Sequence, residues 1–260
     1  MDLQKACDFA ERIARLAGDE ILMRHHGTLA GFTWDQRTHI KTLADEESDC
    51  YLRREIGAAF PEHNILSEES DAREVGSAMT WVVDPLDGTV VFTSESSDYF
   101  AVCVALCDGR TPAAGVIYAP ERHELYRAVR GRGAMKNGQP IAATAPLLDV
   151  RQARVALEYG KPPGRTQAVG IIDKLLAGEG VTAIFTSNCA SVSLALTTSG
   201  VYHAFVAPFL QPWDMAAAAV ICREAGARVT DRFGKEWELG DESIFVAHSG
   251  LHDQLMAKLR

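Results

Sequence analysis

Several features are absent from this chain. It has no excess of basic residues: 26 Lys and Arg stand against 35 Asp and Glu, a formal charge of −9. A protein whose main partner is a nucleic-acid backbone needs a basic face, so that class is disfavoured. It has no apolar run long enough to span a bilayer. The polar N-terminus, Met1-Asp2-Leu3-Gln4-Lys5, does not read as a secretory signal. None of its six cysteines forms a Cys-x-x-Cys pair, and Cys103 and Cys107 sit in an apolar run, which reads as core packing rather than a zinc site. A cytoplasmic, reduced protein is the expectation. Neither an internal repeat nor a low-complexity tract is visible, and a hydrophobic content of 47% is ample for a core.

What the chain does have is acid at the ends of apolar runs. Trp81-Val82-Val83 reads as a buried strand and leads directly into Asp84-Pro85-Leu86-Asp87-Gly88-Thr89. Carboxylates massed at a strand end are costly unless they meet solvent, hydrogen-bond donors or cations. Hard oxygen ligands suit Mg²⁺, Mn²⁺ or Ca²⁺. A proline-stiffened turn aims both side chains into one pocket. Ile65-Leu66-Ser67-Glu68-Glu69-Ser70 is a second apolar run that stops at acids, and Pro212-Trp213-Asp214 is a third acidic segment, heading a helix that closes at Gly226. Read alone, Asp214 is a helix N-cap; read with the other clusters, it is a metal ligand at a helix N-terminus, where phosphate is also attracted.

Helical spacing covers residues 3–24, with Gly27 ending it, and residues 44–59, whose first turns carry Asp45, Glu46, Glu47 and Asp49. Early acids complement the helix dipole, so most of these four are expected on a solvated surface. From 79 to 141 the pattern is strand-like with tight turns, including Asn137-Gly138, and implies an antiparallel sheet. The second half alternates strands and helices in a βαβα pattern, and the character shifts around residue 145, dividing the chain into halves 1–145 and 146–260. Asp231 reads as a strand-end turn. The eight histidines lack ligand spacing, and His248 and His252, four apart, lie in an exposed-looking C-terminal segment.

The chain resembles the inositol monophosphatase family of Mg²⁺-dependent phosphatases. The likeness rests on Thr42-Leu43-Ala44-Asp45, Leu66-Ser67-Glu68-Glu69-Ser70, Trp81 to Thr89 with Phe92, and Trp213-Asp214 with Glu224-Ala225-Gly226. A weaker match is Gly131-Arg132-Gly133-Ala134 with Asn137-Gly138. The resemblance implies an α/β (α+β) fold, a layered αβαβα sandwich with the active site between its halves, and a homodimer. It implies hydrolysis of a small phosphate monoester by metal-activated water, with two or three Mg²⁺, or Mn²⁺, per site. Glu68, Asp84 and the Leu86 carbonyl would bind one ion and Asp84, Asp87 and Asp214 another. Thr89, oriented by Asp45 and with Glu68 nearby, would align or deprotonate the water; a cap role for its hydroxyl is compatible with this. Gly88, Thr89, Asn188, Ala190 and Asp214 would face the substrate, with Glu69 and Ser70 in supporting roles.

The departures from the family pattern lie on the substrate side. Val90-Val91 stands where polar residues are common, Asn188-Cys189-Ala190 replaces a Gly-Ser/Thr-Ala segment, and Ala207 occupies the position of the acid that contacts inositol hydroxyls. Preference for inositol is therefore in question, since hydroxyl specificity depends on a buried polar partner. Arg37 or Lys41 could serve a second phosphate, which keeps a 3′(2′),5′-bisphosphate nucleotidase in view beside a histidinol-phosphatase. A reading of another class is a non-catalytic regulatory or binding protein on the same fold; a complete acid set (Asp45, Glu68, Asp84, Asp87, Asp214) favours the enzyme.

Overall fold

The computed structural model describes residues 1–27, 33–35, 39–143, 149–160 and 164–260. The chain opens with helix α1 (Leu3–Leu16), which continues through a π-helical stretch (Ala17–Leu22) into α2 (Met23–His25). A ribbon of β1 (Thr33–Asp35) and β2 (His39–Lys41) precedes α3 (Leu43–Ala59). Then follow β3 (Asn64–Ser67), β4 (Met79–Asp87), the short helix α4 (Thr89–Ser94), and a meander of β5 (Ala101–Asp108), β6 (Thr111–Ala119), β7 (Glu124–Val129), β8 (Ala134–Lys136) and β9 (Gln139–Ile141). The second half contains β10 (Arg154–Leu157), α5 (Gly164–Leu176), β11 (Ala183–Phe185), α6 (Ala190–Thr198), β12 (Ala204–Ala207), α7 (Pro212–Glu224), β13 (Ala227–Thr230), β14 (Ile244–His248) and α8 (Ser249–Leu259).

Among the described residues, two larger sheets beside the two-stranded β1–β2 ribbon organise these elements. The seven-stranded sheet runs β3 to β9 in chain order, and the five-stranded sheet has the order β11-β10-β12-β14-β13. The first is antiparallel except that β3 and β4 run parallel. The second is parallel at β10–β11 and β10–β12 and antiparallel beyond. Burial shows the stacking. Ala10, Ile13 and Ile56 of α1 and α3 pack with Val83, Val104 and Val116 on one face of the large sheet. Alternate residues on its other face, Val82, Cys103 and Ile117, pack with α6 and α7, which also meet Phe205 and Val246 of the smaller sheet. Val155, Val206 and Phe245 point the opposite way, under α5 and α8. The order is αβαβα, as the resemblance implies, and the two-residue period of the strands is what lets each sheet serve two cores.

Three details differ from the sequence reading. The helix of Asp214 begins earlier, with Gln211 as N-cap and Pro212 in the first turn, so Asp214 is the third helical residue and reaches back to accept the Gln211 amide at 2.9 Å. His248 and His252 are buried, not exposed: β14 and α8 turn the apolar Ile244–Ala247 run and Leu251, Leu255 and Met256 inward, and His252 meets the Thr230 hydroxyl at 3.0 Å. Asp49 is buried as well, while Glu46 and Glu47 are solvated as expected. Asp231 does form the turn read for it, accepting the amides of Phe233 and Lys235. The division placed at residue 145 lies outside the described residues.

Helix α7 lies close against β6 because Gly115 has no side chain. A Cβ there would stand 2.7 Å from both the Ala217 carbonyl oxygen and the Val220 side chain. Backbone cannot yield as a flexible side chain can. Gly115→Ala is expected to lift α7, destabilising the fold by about 1–3 kcal/mol. An unchanged urea-unfolding midpoint would contradict this packing.

Candidate metal centre

The strand pairing explains how distant acids meet. Because β3 and β4 run parallel with Ser67 opposite Val83, the next residues, Glu68 and Asp84, leave the sheet at the same end. The Glu68 amide donates to the Val83 carbonyl at 3.3 Å, fixing that exit. Strand β4 does not end at Asp84. It continues to Asp87 across a bulge in which Asp84 opposes Cys103 and Asp87 opposes Ala101. Pro85 has no amide hydrogen to give the ladder, so the bulge falls where pairing is weakest. The Leu86 amide donates to Asp84 Oδ1 at 3.1 Å, and Ser48 Oγ of α3 donates to the Pro85 carbonyl at 3.0 Å. The bulged turn is thereby held from both sides.

Asp214 comes from α7, on the far side of the large sheet. Glu68, Asp84 and Asp214 each offer a carboxylate oxygen, and these atoms lie within 4.8 Å of one another. Asp84 is buried, and its Oδ2 has no hydrogen-bond partner among the described residues. Burial, then the charges of Glu68, Asp87 and Asp214, push its carboxyl well above the ordinary carboxylate range. An unpartnered anionic oxygen in such company fits a divalent cation, for which an all-oxygen donor set is suited.

Asp87 is placed differently from the other three. Its Oδ2 accepts the Ser191 amide at 2.7 Å and the Cys189 thiol at 3.3 Å, at the start of α6. It thus ties the bulged turn to the second half, and it is not one of the three acids that converge within 4.8 Å. Leu86 presents its carbonyl to the Thr89 hydroxyl at 3.1 Å, and the same hydroxyl lies 3.2 Å from Asp45 Oδ1. Asp45 is the third residue of α3, its Oδ2 accepting both the amide and the hydroxyl of the cap residue Thr42 at 2.6 and 2.5 Å. Burial raises Asp45 to about 7 in spite of those two hydrogen bonds. Thr89 is not a cap: Gly88 precedes α4 at φ 89°, and a Cβ there would stand 2.6 Å from the Tyr99 carbonyl oxygen, so only glycine is accommodated. Asn188 is exposed at φ 58°, its amide bonded to Glu158 and its side-chain oxygen to the Tyr159 hydroxyl, and Ala190 is buried at the first turn of α6. Both adjoin Cys189 and hence Asp87.

Two supporting acids were not found by sequence reading. Asp49 accepts the hydroxyls of Ser67 and Ser70, which bracket Glu68. Its position one helical turn after Asp45 puts both on one face of α3, a signal that spacing alone offers. Glu158 accepts the amides of Ser187 and Asn188 at 2.8 and 3.0 Å, holding the loop before α6; an isolated Glu after a strand carried no such signal. Lys41 pairs with Glu69 at 2.9 Å and Glu46 at 3.4 Å, and Arg37 lies outside the described residues. A small cleft of about 110 Å³, lined by Glu68, Asp214, Gly160, Phe209, Leu210 and Gln211, opens beside the acids.

The whole chain, residues 2–260, matches the model of the inositol monophosphatase family. The protein belongs to that family. It is 29% identical to the fructose-1,6-bisphosphatase/inositol-1-monophosphatase of Aquifex aeolicus, covering 98% of this chain and 95% of that protein. It is 32% identical to Nus factor SuhB of Escherichia coli (strain K12), covering 97% and 95%. Its fold superposes on the crystal structure of the extragenic suppressor protein suhB from Bartonella henselae with a TM-score of 0.89, at 28% identity and 98% coverage of both chains. No helix among the described residues is long and apolar enough to cross a membrane.

The raised Asp84 and Asp45 carboxyls set a pH dependence for protein stripped of metal. Above about pH 4 the unfolded chain has released these protons while the folded protein keeps them. Their contribution to stability is full below that value and is lost as pH rises through the folded values, about 7 for Asp45 and well above 3.8 for Asp84. Chelator-treated protein should therefore melt lower at pH 8 than at pH 6, with a smaller fall in Asp84→Asn. Saturating Mg²⁺ should raise the melting temperature of the natural sequence at pH 7.5 by at least about 4 °C and leave Asp84→Asn nearly unmoved. Equal Mg²⁺ shifts in the two proteins would contradict the site.

Proposed function

We propose that the protein hydrolyses a small phosphate monoester with the help of Mg²⁺, for which Mn²⁺ can substitute. The observation that carries this reading is the convergence of Glu68, Asp84 and Asp214 within 4.8 Å of one another, beside a Thr89–Asp45 pair. In this reading Glu68, Asp84, Asp87, Asp214 and the Leu86 carbonyl hold two or three ions. When bound, such cations neutralise phosphate oxygens and acidify a coordinated water.

The chain's own residues do the remaining work. Thr89 Oγ1, donating towards Asp45 Oδ1, keeps a lone pair free to accept a hydrogen bond from the attacking water and so to orient it. The water proton passes to Thr89 as the threonine proton passes to Asp45; Glu68 is the second acceptor within the cluster. Asp45, raised to about 7 by burial, would be drawn towards its ionised, proton-accepting form by cations held on the neighbouring acids. Water oxygen bonds to phosphorus as the ester oxygen leaves, and the departing alkoxide takes a proton from solvent water to become an alcohol, the resulting hydroxide being neutralised by the proton that Asp45 releases. Backbone amides of Gly88 and Thr89 serve the phosphate oxygens, since glycine permits close approach. Asn188 and Ala190 border the substrate through their contact with Cys189.

The cleft beside Glu68 and Asp214 is small and partly apolar, which suits a compact sugar or polyol phosphate, and the Aquifex relative's name points the same way. With Ala207 in place of a hydroxyl-binding acid, discrimination among polyols is expected to be weak. The pairing of Lys41 with two glutamates weighs against its recruitment for a second phosphate, and so against a bisphosphate nucleotidase; histidinol phosphate remains in the tested set. A cytoplasmic homodimer is carried over from the family resemblance. The relatives named as Nus factors support a second reading, a regulatory role independent of hydrolysis.

One substitution separates the two. Asp87→Asn keeps an oxygen to accept the Ser191 amide, so the fold should persist. Phosphate release from inositol 1-phosphate, fructose 1,6-bisphosphate, adenosine 3′,5′-bisphosphate and histidinol phosphate with Mg²⁺ should fall at least about 100-fold in this variant. Activity unaffected by the change, or no release by the natural sequence from any ester, would reject the enzymatic reading.

A further inference from the structure

A second cavity lies on the opposite face of the five-stranded sheet, one layer away from the acids. Its volume is about 500 Å³, within the range of small-molecule sites. Val206 and Phe245, cross-strand partners in β12 and β14, form its floor. Ile171 of α5 and Phe233 of the β13–β14 connection form walls. The strand alternation keeps it separate from the catalytic side: Val206 belongs to the outer core, whereas its neighbours Phe205 and Ala207 belong to the core shared with α6 and α7.

Three features point to a ligand. Gly170 of α5 lines the cavity at its exposed edge, and a Cβ placed there would meet nothing within 4 Å, so the mouth is open at that wall. Phe233 is 70% exposed beside the opening, an unusual placement for a large aromatic ring. The charged side chains at the rim, Lys174, Arg232 and Arg260, are cationic and stand beside neutral Gln167, and among the described residues no acidic side chain lines the cavity. The Arg232 guanidinium lies 4.6 Å over the Phe233 ring and donates to Gln167, and it forms no ion pair among the described residues. Lys174 Nζ donates to the Leu259 carbonyl and to a main-chain oxygen of the last residue, Arg260, so it is already paired and leaves the anion to Arg232. In a chain of charge −9, Arg232 above an apolar floor, with no acidic side chain lining the cavity, forms a local field opposite to the protein's own.

We propose that this cavity binds a small amphipathic anion, with an apolar or planar body on Val206, Phe245 and Ile171 and a single acidic head group on Arg232. Arginine presents a planar fork of donors that matches a carboxylate or sulfonate. Neither Mg²⁺ nor phosphoester hydrolysis enters this inference, so it stands or falls apart from the function proposed above.

The test is a titration of the full chain with 8-anilinonaphthalene-1-sulfonate, read by fluorescence, with decanoate and decyltrimethylammonium as competitors. Saturable single-site binding is expected, displaced by decanoate and not by the cation. Arg232→Gln should weaken it about tenfold. Gly170→Phe fills the cavity while replacing a helix-interior glycine by a better helix former; it should abolish binding, whereas Gly170→Ala should retain it. Circular dichroism melts confirm that each variant is folded. Unchanged binding in folded Arg232→Gln or Gly170→Phe, equal displacement by the cation, or no saturable binding overturns the proposal.

Discussion

One oxygen atom sets the terms for this molecule. Asp84 Oδ2 is sealed from solvent, has no hydrogen-bond partner among the described residues, and sits among the charges of Glu68, Asp87 and Asp214. Among the described residues, the charges that act on it are all acidic. A buried carboxylate in that position either holds its proton or meets a cation. The protein therefore builds into its core a defect of the kind that a bound divalent ion would repair. Four carboxylates from three stretches of chain bring the protein's excess of negative charge to a focus, and an anionic substrate can approach only if cations reverse that field.

The five layers can be read as the means of holding this defect in place. Parallel pairing of β3 with β4 sends Glu68 and Asp84 out of the sheet together. The Pro85 bulge turns the chain without ending the strand, and Asp87 spans from it to α6. Gly115 lets α7 approach the large sheet closely enough for Asp214 to complete the group. Behind these groups stand Asp49, which gathers Ser67 and Ser70 around Glu68, and Thr42, which fixes Asp45 at the start of α3. The capping box of α3 thus has a second role: the carboxylate that closes the helix also turns its other oxygen to Thr89.

Much of this was legible in the sequence because it is local. Apolar runs that stop at acids marked the ends of β3 and β4, and the Ala-rich stretch closed by Gly226 marked α7. Asn137-Gly138 marked the β8–β9 hairpin. What could not be read was set by contacts distant in sequence. Asp49 is buried because two serines from another segment face it, although dipole arguments assign early helical acids to solvent. His248 and His252 are internal because α8 folds back over the smaller sheet, while their short C-terminal stretch reads as exposed. The start of α7 moved from Asp214 to Pro212 because Gln211 provides the cap and Asp214 reaches back to it. Glu158 gains its role only when β10 is placed beside the loop before α6. The family resemblance supplied the grouping of the acids, which spacing alone leaves open for Asp214.

The most direct measurement is diffraction from crystals grown with Mn²⁺, collected near the manganese absorption edge. The account predicts anomalous density coordinated by Asp84 together with Glu68 and Asp214, with Asp84 Oδ2 as a ligand. Crystals with ordered Mn²⁺ elsewhere and none on Asp84, or with Asp84 hydrogen-bonded to protein and no ion, would contradict it.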